Sequence, residues 1–548
     1  MIVTRTVDVV ENYHGTEVAD PYRWLEEETD EVAEWVAAQN RQTQAFLSGV
    51  PAREAIRERL TALWNFPRQS IPVKAGGRYF FSRNDGLQNQ PVYCVQDGPD
   101  SEPRVLIDPN TLSDDATIAL SVATPSRDGN WLAYSTSEAG SDWQTIRVRN
   151  VDTGEDLPEE IRWTKFPVIA WHPDGSGFYY NRLPEPGAVP PEDQNNYSRI
   201  CWHALDTDPA EDPIVYERPD FKELRFMAEV TDDGRFLVLT GSVGTDVETR
   251  IYYRPLESDG DFIRLLDEAD AEYLFIDNDD DSFLLFTTHD APRGRAIAID
   301  LNQPEPEQWR EVIPQLEDGT IEYVVPASDR LVAVARRDAR QEVLLHTREG
   351  QPVGQVTPPG ETLFSLDAIW GTPSEDELFV AFSSFLRPST PYRVDLPGGK
   401  VTALHEAGLD FDPEQYVTRQ IAATSKDGTR VPLFVAHRKD LELDGTAPAL
   451  LYAYGGFNVS IGPEFRVPPL VWMERGGVYA VGVLRGGGEF GEEWHRAGML
   501  ENKQNVFDDF IACGEHLIAA GYTSSEKLVI NGGSNGGLLV AACLVQRP

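Results

Sequence analysis

The sequence predicts two fold classes in one chain: a ring of repeated antiparallel sheets, and then a domain in which strands alternate with helices. Three observations lead to this prediction. A turn followed by an apolar strand recurs seven times between residues 70 and 410. After residue 411, apolar strands alternate with helical patterns, as is typical of a parallel sheet. Close to the last residue, a Gly-x-Ser-x-Gly turn lies between a strand-like and a helix-like run.

Residues 1–69 are predicted to be an N-terminal helical segment that packs on the C-terminal domain. Apolar residues recur at broadly helical spacing in 29–47, and 52–64 has the pattern of a second helix. The sequence Asn-Phe-Pro at 65–67 ends this pattern, because proline interrupts a helix. We therefore expect residues 1 to about 68 to be helical.

Residues 70–410 are predicted to form a β-propeller with seven blades. The repeated strand starts are Tyr79, Trp131, Phe178, Phe236, Phe283, Leu331 and Leu378. Their spacings are 52, 47, 58, 47, 48 and 47 residues, which leaves room for four short strands in each unit. Closing such units into a ring buries both faces of every sheet. An irregular all-β array is the alternative.

Residues 411–548 are predicted to form an α/β-hydrolase domain. We expect a hairpin at 417–437, apolar strands at 449–454 and 478–484, a helix at 506–520 and a strand at 528–530. Gly532 to Gly537 follow that last strand, and strand, Gly-x-Ser-x-Gly, helix is the pattern of a nucleophile elbow. Glycine suits such a sharp turn because it has no Cβ. An ordinary Gly/Ser turn is the alternative.

Acyl transfer needs a nucleophile, a base and donors for the developing oxyanion. Ser534 is the candidate nucleophile, and the backbone N–H of Asn535 is the first candidate donor. The second donor is expected from the loop after an earlier buried strand, here Tyr454-Gly-Gly-Phe-Asn458. The Tyr454 hydroxyl is the candidate, although spacing alone equally allows a strand-end tyrosine bonded to the core.

The expected base is absent from the residues that follow the serine. An α/β-hydrolase orders its triad as Ser, then Asp or Glu, then His. Fourteen residues follow Ser534, and none of them is Asp, Glu or His. His495 and His516 both precede the serine and therefore violate this order. We expect an α/β-hydrolase domain that is incomplete at the C-terminus, truncated after the elbow and inactive as given.

The net charge of the 548 residues is −42, from 48 basic and 90 acidic side chains. Nucleic acid is not expected as a partner, since phosphate binding needs clustered lysine and arginine. The basic residues are 8 lysines and 40 arginines. Many carboxylates with few lysines suggest a protein of a salt-accumulating organism, where repulsion is screened within about 3 Å at 1 M salt. An acidic protein of an ordinary mesophile is an equally supported alternative.

Composition also predicts the compartment and the lack of cofactors. No apolar run approaches the roughly 18 residues of a membrane span, and residues 1–11 lack the pattern of a secretory signal. The four cysteines are scattered, which indicates reduced thiols in a cytoplasmic protein. The histidines are dispersed and form no metal-binding motif with cysteine. We therefore expect no membrane partner, no metal and no organic cofactor.

Several motifs resemble the prolyl oligopeptidase family, serine peptidases that place a propeller over an α/β-hydrolase. Besides the elbow, they are Asp-Pro-Tyr-Arg-Trp-Leu-Glu at 20–26, Gly-Leu-Gln-Asn-Gln at 86–90, Tyr-Gly-Gly-Phe-Asn at 454–458, Arg-Gly-Gly-Gly-Glu-Phe-Gly at 485–491, Asn-Lys-Gln-Asn at 502–505 and Phe-Asp-Asp-Phe at 507–510. The resemblance covers essentially the whole chain. It implies a serine endopeptidase that cleaves short peptides on the C-terminal side of proline, without a cofactor. We expect a monomer.

The resemblance also implies roles for individual residues. Ser534 would be acylated, and the Tyr454 hydroxyl with the Asn535 amide would form the oxyanion hole. Phe457 would line an apolar pocket for the proline ring, where aromatic surface favours a rigid ring. Phe166 and Arg250 would contact substrate from the propeller, although Arg250 could instead be solvated or bridge two blades. The central tunnel would exclude folded proteins by size.

Two other functions are compatible with the same sequence. In the first, the propeller is a peptide-binding module and the hydrolase domain is vestigial. In the second, the elbow belongs to another acyl hydrolase of the same superfamily, such as an esterase or an aminopeptidase.

Overall fold

The structure, a computed structural model, describes residues 3–396 and 400–548. The chain divides into two compact units, Met1–Trp64 and Asn65–Pro548. The first unit has the helices Asp30–Ser48 and Arg53–Trp64, close to the predicted ranges. The expectation of helix throughout this segment is wrong at its start, where Val10–Tyr13 and Thr16–Ala19 form a hairpin. Its turn residues His14 and Gly15 both have positive φ, which suits the twist of a tight hairpin.

Seven antiparallel sheets follow one another along the described residues of the second unit. Their strands are as follows: blade 1, Arg68–Gln69, Val73–Ala75, Arg78–Asn84, Val92–Gln96 and Arg104–Ile107; blade 2, Ile118–Pro125, Trp131–Glu138, Trp143–Asn150 and Ile161–Lys165; blade 3, Ile169–Trp171, Gly177–Arg182, Arg199–Ala204 and Ile214–Glu217; blade 4, Leu224–Val230, Phe236–Val243, Thr249–Pro255 and Ile263–Leu266; blade 5, Tyr273–Asp279, Ser282–Thr287, Arg295–Asp300 and Arg310–Ile313; blade 6, Gly319–Ala327, Arg330–Arg337, Arg340–Thr347 and Pro352–Val356; blade 7, Ser365–Trp370, Glu377–Ser383, Thr390–Asp395 and Lys400–Ala403. Each of the seven predicted strand starts is the first or second residue of a blade strand. The prediction of a seven-bladed β-propeller is therefore confirmed.

Neighbouring blades pack face to face, and alternate residues of one strand contribute to the two faces. In blade 2, Leu132 packs with Phe80 of blade 1, whereas the adjacent Ala133 packs with Phe178 of blade 3. Shared apolar clusters also join blades 3 and 4, 4 and 5, 5 and 6, and 6 and 7. Packing between neighbouring blades thus buries the faces of the sheets, whereas a single four-stranded sheet would leave a face in contact with water.

Side chains close the ring between blades 1 and 7, because the described strands of these blades form separate sheets. The Tyr79 ring meets Phe379 edge-on, with centroids 6.1 Å apart, and its hydroxyl donates to Glu377 at 2.8 Å. Lys74 pairs with Glu375 at 2.6 Å and with Glu377 at 3.0 Å. The closure therefore combines aromatic packing with a partly buried group of charges.

The hydrolase domain is built on a mixed sheet of five described strands. Across the sheet their order is Tyr416–Thr424, Arg430–Arg438, Val478–Gly482, Ala449–Tyr452 and Leu528–Asn531. The first two form the predicted hairpin, and the last three run parallel to one another. Parallel strands place their carboxyl ends at the same edge of the sheet, where ligands bind in folds of this class.

The two faces of this sheet are covered differently. Its helices are Val467–Glu474, Glu492–Arg496, Gln504–Ala519 and Asn535–Gln546. The last two share one core with Leu433, Leu451 and Ala480 of the strands. On the alternate positions, Phe434 and Tyr479 meet Phe385, which follows a strand of blade 7. Within the described residues, no helix is long and apolar enough to cross a lipid bilayer.

A buried ionic group lies between the propeller and the hydrolase domain. Arg336 of blade 6 pairs through Nε with Glu322 at 2.7 Å. Burial acts to lower the pKa of its guanidinium, but the charges of Glu322 and of Glu489 in the hydrolase domain raise it. Glu489 is 2% exposed and accepts the N–H of Ile461 at 2.7 Å. Burial raises the pKa of the Glu489 carboxyl to about 7, so ionising this group costs folding free energy.

Two adjacent glycines of blade 1 allow a matched test of the contact with blade 2. Both have positive φ, 56° at Gly76 and 79° at Gly77, so alanine strains either position by about 1–2 kcal/mol. A Cβ on Gly76 would lie 1.8 Å from the carbonyl oxygen of Asp128, but a Cβ on Gly77 would meet nothing within 4 Å. We expect Gly76→Ala to lower the free energy of unfolding by about 2 kcal/mol more than Gly77→Ala. Urea denaturation of the two variants measures the difference. Equal losses of unfolding free energy would contradict the close contact between Gly76 and the Asp128 carbonyl.

Glu489→Gln tests the buried carboxyl. A raised pKa means that the folded protein keeps a proton that the unfolded chain releases above its ordinary pKa near 4.5. The parent protein should therefore lose up to about 3 kcal/mol of stability from this group between pH 5 and pH 8. The variant has no carboxyl at this position and should not lose this stability. Its free energy of unfolding should therefore increase relative to that of the parent as pH rises. Thermal unfolding at both pH values provides the measurement. Glu257→Gln, whose side chain is 89% exposed, is the control and should show no such gain.

Candidate active site

Three loops meet at the carboxyl ends of the parallel strands. They are 453–458 after Ala449–Tyr452, 483–488 after Val478–Gly482, and 532–534 after Leu528–Asn531. The strand pairings place Tyr452 opposite both Val481 and Asn531. The three loops therefore start at the same level of the sheet, although they are far apart in sequence.

The turn at Ser534 has the geometry of a nucleophile elbow. Ser534 has φ 54° and ψ −120° and immediately precedes the helix Asn535–Gln546. A Cβ on Gly532 would lie 2.3 Å from the carbonyl oxygen of Gly536, and one on Gly536 would lie 2.8 Å from that of Ala453. Only glycine fits this turn, because its backbone approaches the helix and the neighbouring loop so closely. Ser534 itself is exposed.

The loop that contains Tyr454 contacts the elbow directly. Asn535 Nδ2 donates to the carbonyl oxygen of Tyr454 at 2.6 Å. A Cβ on Gly456 would lie 2.5 Å from the same Nδ2, so this side chain fills the space beside the loop. As the first residue of its helix, Asn535 has a backbone N–H without an intrahelical acceptor. The two predicted oxyanion residues, Tyr454 and Asn535, are thus brought together.

Lys503 joins the same two elements, a role that the sequence analysis missed. Its Nζ donates to the carbonyl oxygen of Gly455 at 2.8 Å and to Asn535 Oδ1 at 3.1 Å. Burial lowers the pKa of this ammonium. The available signal was a lysine at the start of a predicted helix, in a chain with only 8 lysines.

A buried ion pair supports the second loop. Arg485 bonds Asp509 of the helix Gln504–Ala519 through Nη2 at 2.6 Å and Nε at 2.9 Å, and Asp509 is fully buried. Such a bidentate pair fixes both distance and orientation. The next residue, Gly486, accepts the N–H of Asn458 at 3.1 Å. The loop of Tyr454 is therefore held both by Lys503 and by the Arg485 loop.

A cavity of about 590 Å³ lies beside Asn535, between the hydrolase domain and loop 245–248 of blade 4. Phe457 lines it, has φ 54° and is 55% exposed. Lys503 and His495 line it as well. The predicted proline-pocket residue is thus placed in the same cavity as Asn535, with its ring available for contact.

The two propeller residues of the prediction lie outside the lining of this cavity. Phe166 follows the last strand of blade 2, has φ 48° and is 60% exposed. Arg250 lies in the strand that follows loop 245–248, but its Nε donates to the Asp267 carbonyl at 2.9 Å. Its guanidinium also lies over the Phe221 ring, 5.1 Å from the centroid. Arg250 therefore braces the ends of blade 4 in this structure.

In the described part of the chain, neither of the two histidines nearest the serine in sequence forms a hydrogen bond with it. His495 is buried, and its Nδ1 donates to the Gly486 carbonyl at 2.8 Å. His516 lies in the last turn of the helix Gln504–Ala519. Among the described residues, no hydrogen bond joins either ring to Ser534, and no three His, Cys, Asp or Glu side chains are grouped to hold a metal.

Comparison with known proteins identifies relatives along the whole chain. The family profile described as the N-terminal β-propeller domain of prolyl oligopeptidase matches residues 2–407, and the profile of the prolyl oligopeptidase family matches 463–548. A prolyl endopeptidase of Elizabethkingia meningoseptica is 35% identical over 548 residues, which cover 100% of this chain and 77% of that protein.

Solved structures give the same relationship. A structure from an analysis of two prolyl endopeptidases and their inter-domain dynamics matches with a TM-score of 0.94 and 37% identity, and covers 100% of this chain and 80% of its own. Prolyl oligopeptidase B of Galerina marginata, bound to a 25mer macrocyclization substrate, matches with a TM-score of 0.93 and 32% identity. The match covers 100% of this chain and 80% of that one.

Lys503→Met tests the tether between the Tyr454 loop and the elbow. The variant leaves the Gly455 carbonyl and Asn535 Oδ1 without their charged donor, a loss of about 1.5–3 kcal/mol for a hydrogen bond of this type. We expect amide hydrogen exchange in 454–459 to accelerate by about tenfold or more. Lys439→Met, at an exposed position after the strand Arg430–Arg438, is the control. Unchanged exchange in 454–459 would show that Lys503 does not hold the loop.

Proposed function

Because the chain belongs to the prolyl oligopeptidase family of peptidases, we propose that its site takes short proline-containing peptides and acts on the bond after proline. The relatives named above are prolyl endopeptidases or prolyl oligopeptidases. The observation that carries the proposal is the elbow at Ser534, with the Tyr454 loop bonded to Asn535.

In this proposal Ser534 is the nucleophile of a serine peptidase. Its left-handed backbone at the start of a helix is the strained turn that presents a catalytic hydroxyl. The N–H of Asn535 and the hydroxyl of Tyr454 stabilise the oxyanion. Donors held in a fixed position before the reaction pay no reorganisation cost when charge develops, and the contacts of Lys503 and Arg485 supply that rigidity.

Phe457 provides aromatic surface for the proline ring, in keeping with its exposed ring on the cavity wall. Phe166, exposed on the propeller, contacts the peptide farther from the scissile bond. Arg250 does not contact the peptide directly while its guanidinium lies on the Phe221 ring. It reaches substrate only if that contact opens.

A polypeptide of these 548 residues alone is proposed to be inactive or nearly so. Within these 548 residues Ser534 is followed by no Asp, Glu or His, and a serine without its base retains only the catalysis of binding and the oxyanion hole. We further propose a cytoplasmic monomer.

The function is tested by binding and turnover together. Isothermal titration with a capped peptide Ala-Gly-Pro-Ala should give about tenfold tighter binding than with Ala-Gly-Ala-Ala, because the proline ring packs on aromatic surface. Phe457→Ala should remove most of that preference. Turnover of benzyloxycarbonyl-Gly-Pro-aminomethylcoumarin by the chain should not exceed that of Ser534→Ala.

Each part of the proposal has its own contrary outcome. Equal affinity for the two peptides would refute the prolyl specificity. Clear turnover that disappears in Ser534→Ala would refute the proposed inactivity while supporting the serine mechanism. Retained proline preference in Phe457→Ala would remove that residue from the pocket.

A further inference from the structure

The cavity beside Asn535 has a wall rich in carboxylates. Loop 245–248 of the propeller contributes Asp246 and Glu248, and the hydrolase domain contributes Glu492 and Glu501. Only Arg496 and Lys503 oppose these four groups among the lysines and arginines that line the cavity. Both domains therefore present negative charge to the same space.

The two cationic side chains are already engaged. Arg496 pairs with Glu492 through Nε and lies 3.7 Å from Glu248 through Nη2. Lys503 donates to the Gly455 carbonyl and to Asn535 Oδ1. Neither Asp246 nor Glu501 forms a salt bridge or a side-chain hydrogen bond within the described part of the chain. Two carboxylates of the wall thus remain available to a ligand.

A half-buried neighbour, Glu272, lies within the field of this charge. Glu272 of blade 5 has its pKa raised to about 7, first by burial and then by the carboxylates of Glu492 and Glu248. Carboxylates that line a cleft with protein walls focus their field into the cleft and attract counter-charged ligands. The negative potential is therefore a property of the cavity as well as of the surface.

We propose that Asp246 and Glu501 determine specificity in this cavity, favouring prolyl peptides that carry a lysine or arginine side chain or a free amino terminus. This inference rests on the proposed function, because it concerns which peptides enter the same site. A mobile cationic group fits the arrangement better than a metal ion, since the described residues contain no group of three metal-ligating side chains. The carboxylates come from two domains, so selection needs both of them in place.

The test compares three capped, fluorescent pentapeptides with one Gly-Pro core, in which a single flanking position is Lys, Gln or Glu. Binding is measured by anisotropy with the Ser534→Ala chain, so that no peptide is cleaved. We expect the Lys peptide to bind about tenfold more tightly than the Glu peptide at 50 mM NaCl, with Gln between them. Salt should reduce this ratio to about threefold or less at 500 mM, where the Debye length is about 4 Å.

A pair of double variants separates the cavity wall from the overall charge of −42. Asp246→Asn with Glu501→Gln should lower the Lys-to-Glu ratio to about threefold or less. It should leave the affinity for the Gln peptide unchanged. Asp280→Asn with Glu257→Gln removes the same charge from side chains that are 96% and 89% exposed, and should leave the ratio as it is.

Equal binding of the three peptides by the parent chain would overturn the inference, and so would an equal loss of ratio in the two double variants. A different result would contradict the proposed function itself. If the Gln peptide bound no better than its counterpart with alanine in place of proline, the cavity would not be a prolyl site, and the inference would fall with it.

Discussion

Close approach of backbone to backbone is the constraint on which the candidate site depends. Gly486, Gly532 and Gly536 lie at points where a Cβ would meet a backbone carbonyl oxygen at 2.3–2.8 Å, and a Cβ on Gly455 would meet the Val506 side chain at 2.4 Å. Three parallel strands deliver their loops to one edge of the sheet, but side chains of ordinary size would keep those loops apart. The missing Cβ atoms let the elbow, the Tyr454 loop and the Arg485 loop share one small volume.

Charged side chains hold this close packing together. The Arg485–Asp509 pair is withdrawn from water, so it is stable only because each partner satisfies the other in bidentate geometry. Lys503 gives up hydration to bind two oxygens, one of the Tyr454 loop and one of the helix that follows Ser534. Polar contacts of this kind contribute less to net stability than to orientation, because much of their energy replaces lost contacts with water. At a site that must hold oxyanion donors still, orientation is the property that matters.

The propeller was predictable because its information is local and repeated. Trp131 and its six counterparts each start an apolar strand after a turn, and the period alone indicates units that must stack to bury their faces. The hairpin at 10–19 was missed since its only signal is a His-Gly turn between two short strands of mixed polarity. At the site, Ser534 could be found from its flanking glycines. Lys503 could not, because its two acceptors lie 48 and 32 residues away in sequence.

The sequence by itself determined the order of the elements, the number of blades and the position of the elbow. These follow from turn chemistry and hydrophobic periodicity, which act over a few residues at a time. Only the tertiary structure decided that Arg250 lies on Phe221, that Asn535 bonds the Tyr454 carbonyl, and that two domains face one cavity with their carboxylates. Such contacts depend on which side chains lose their water when distant segments meet, and that loss depends on the packing of the whole chain.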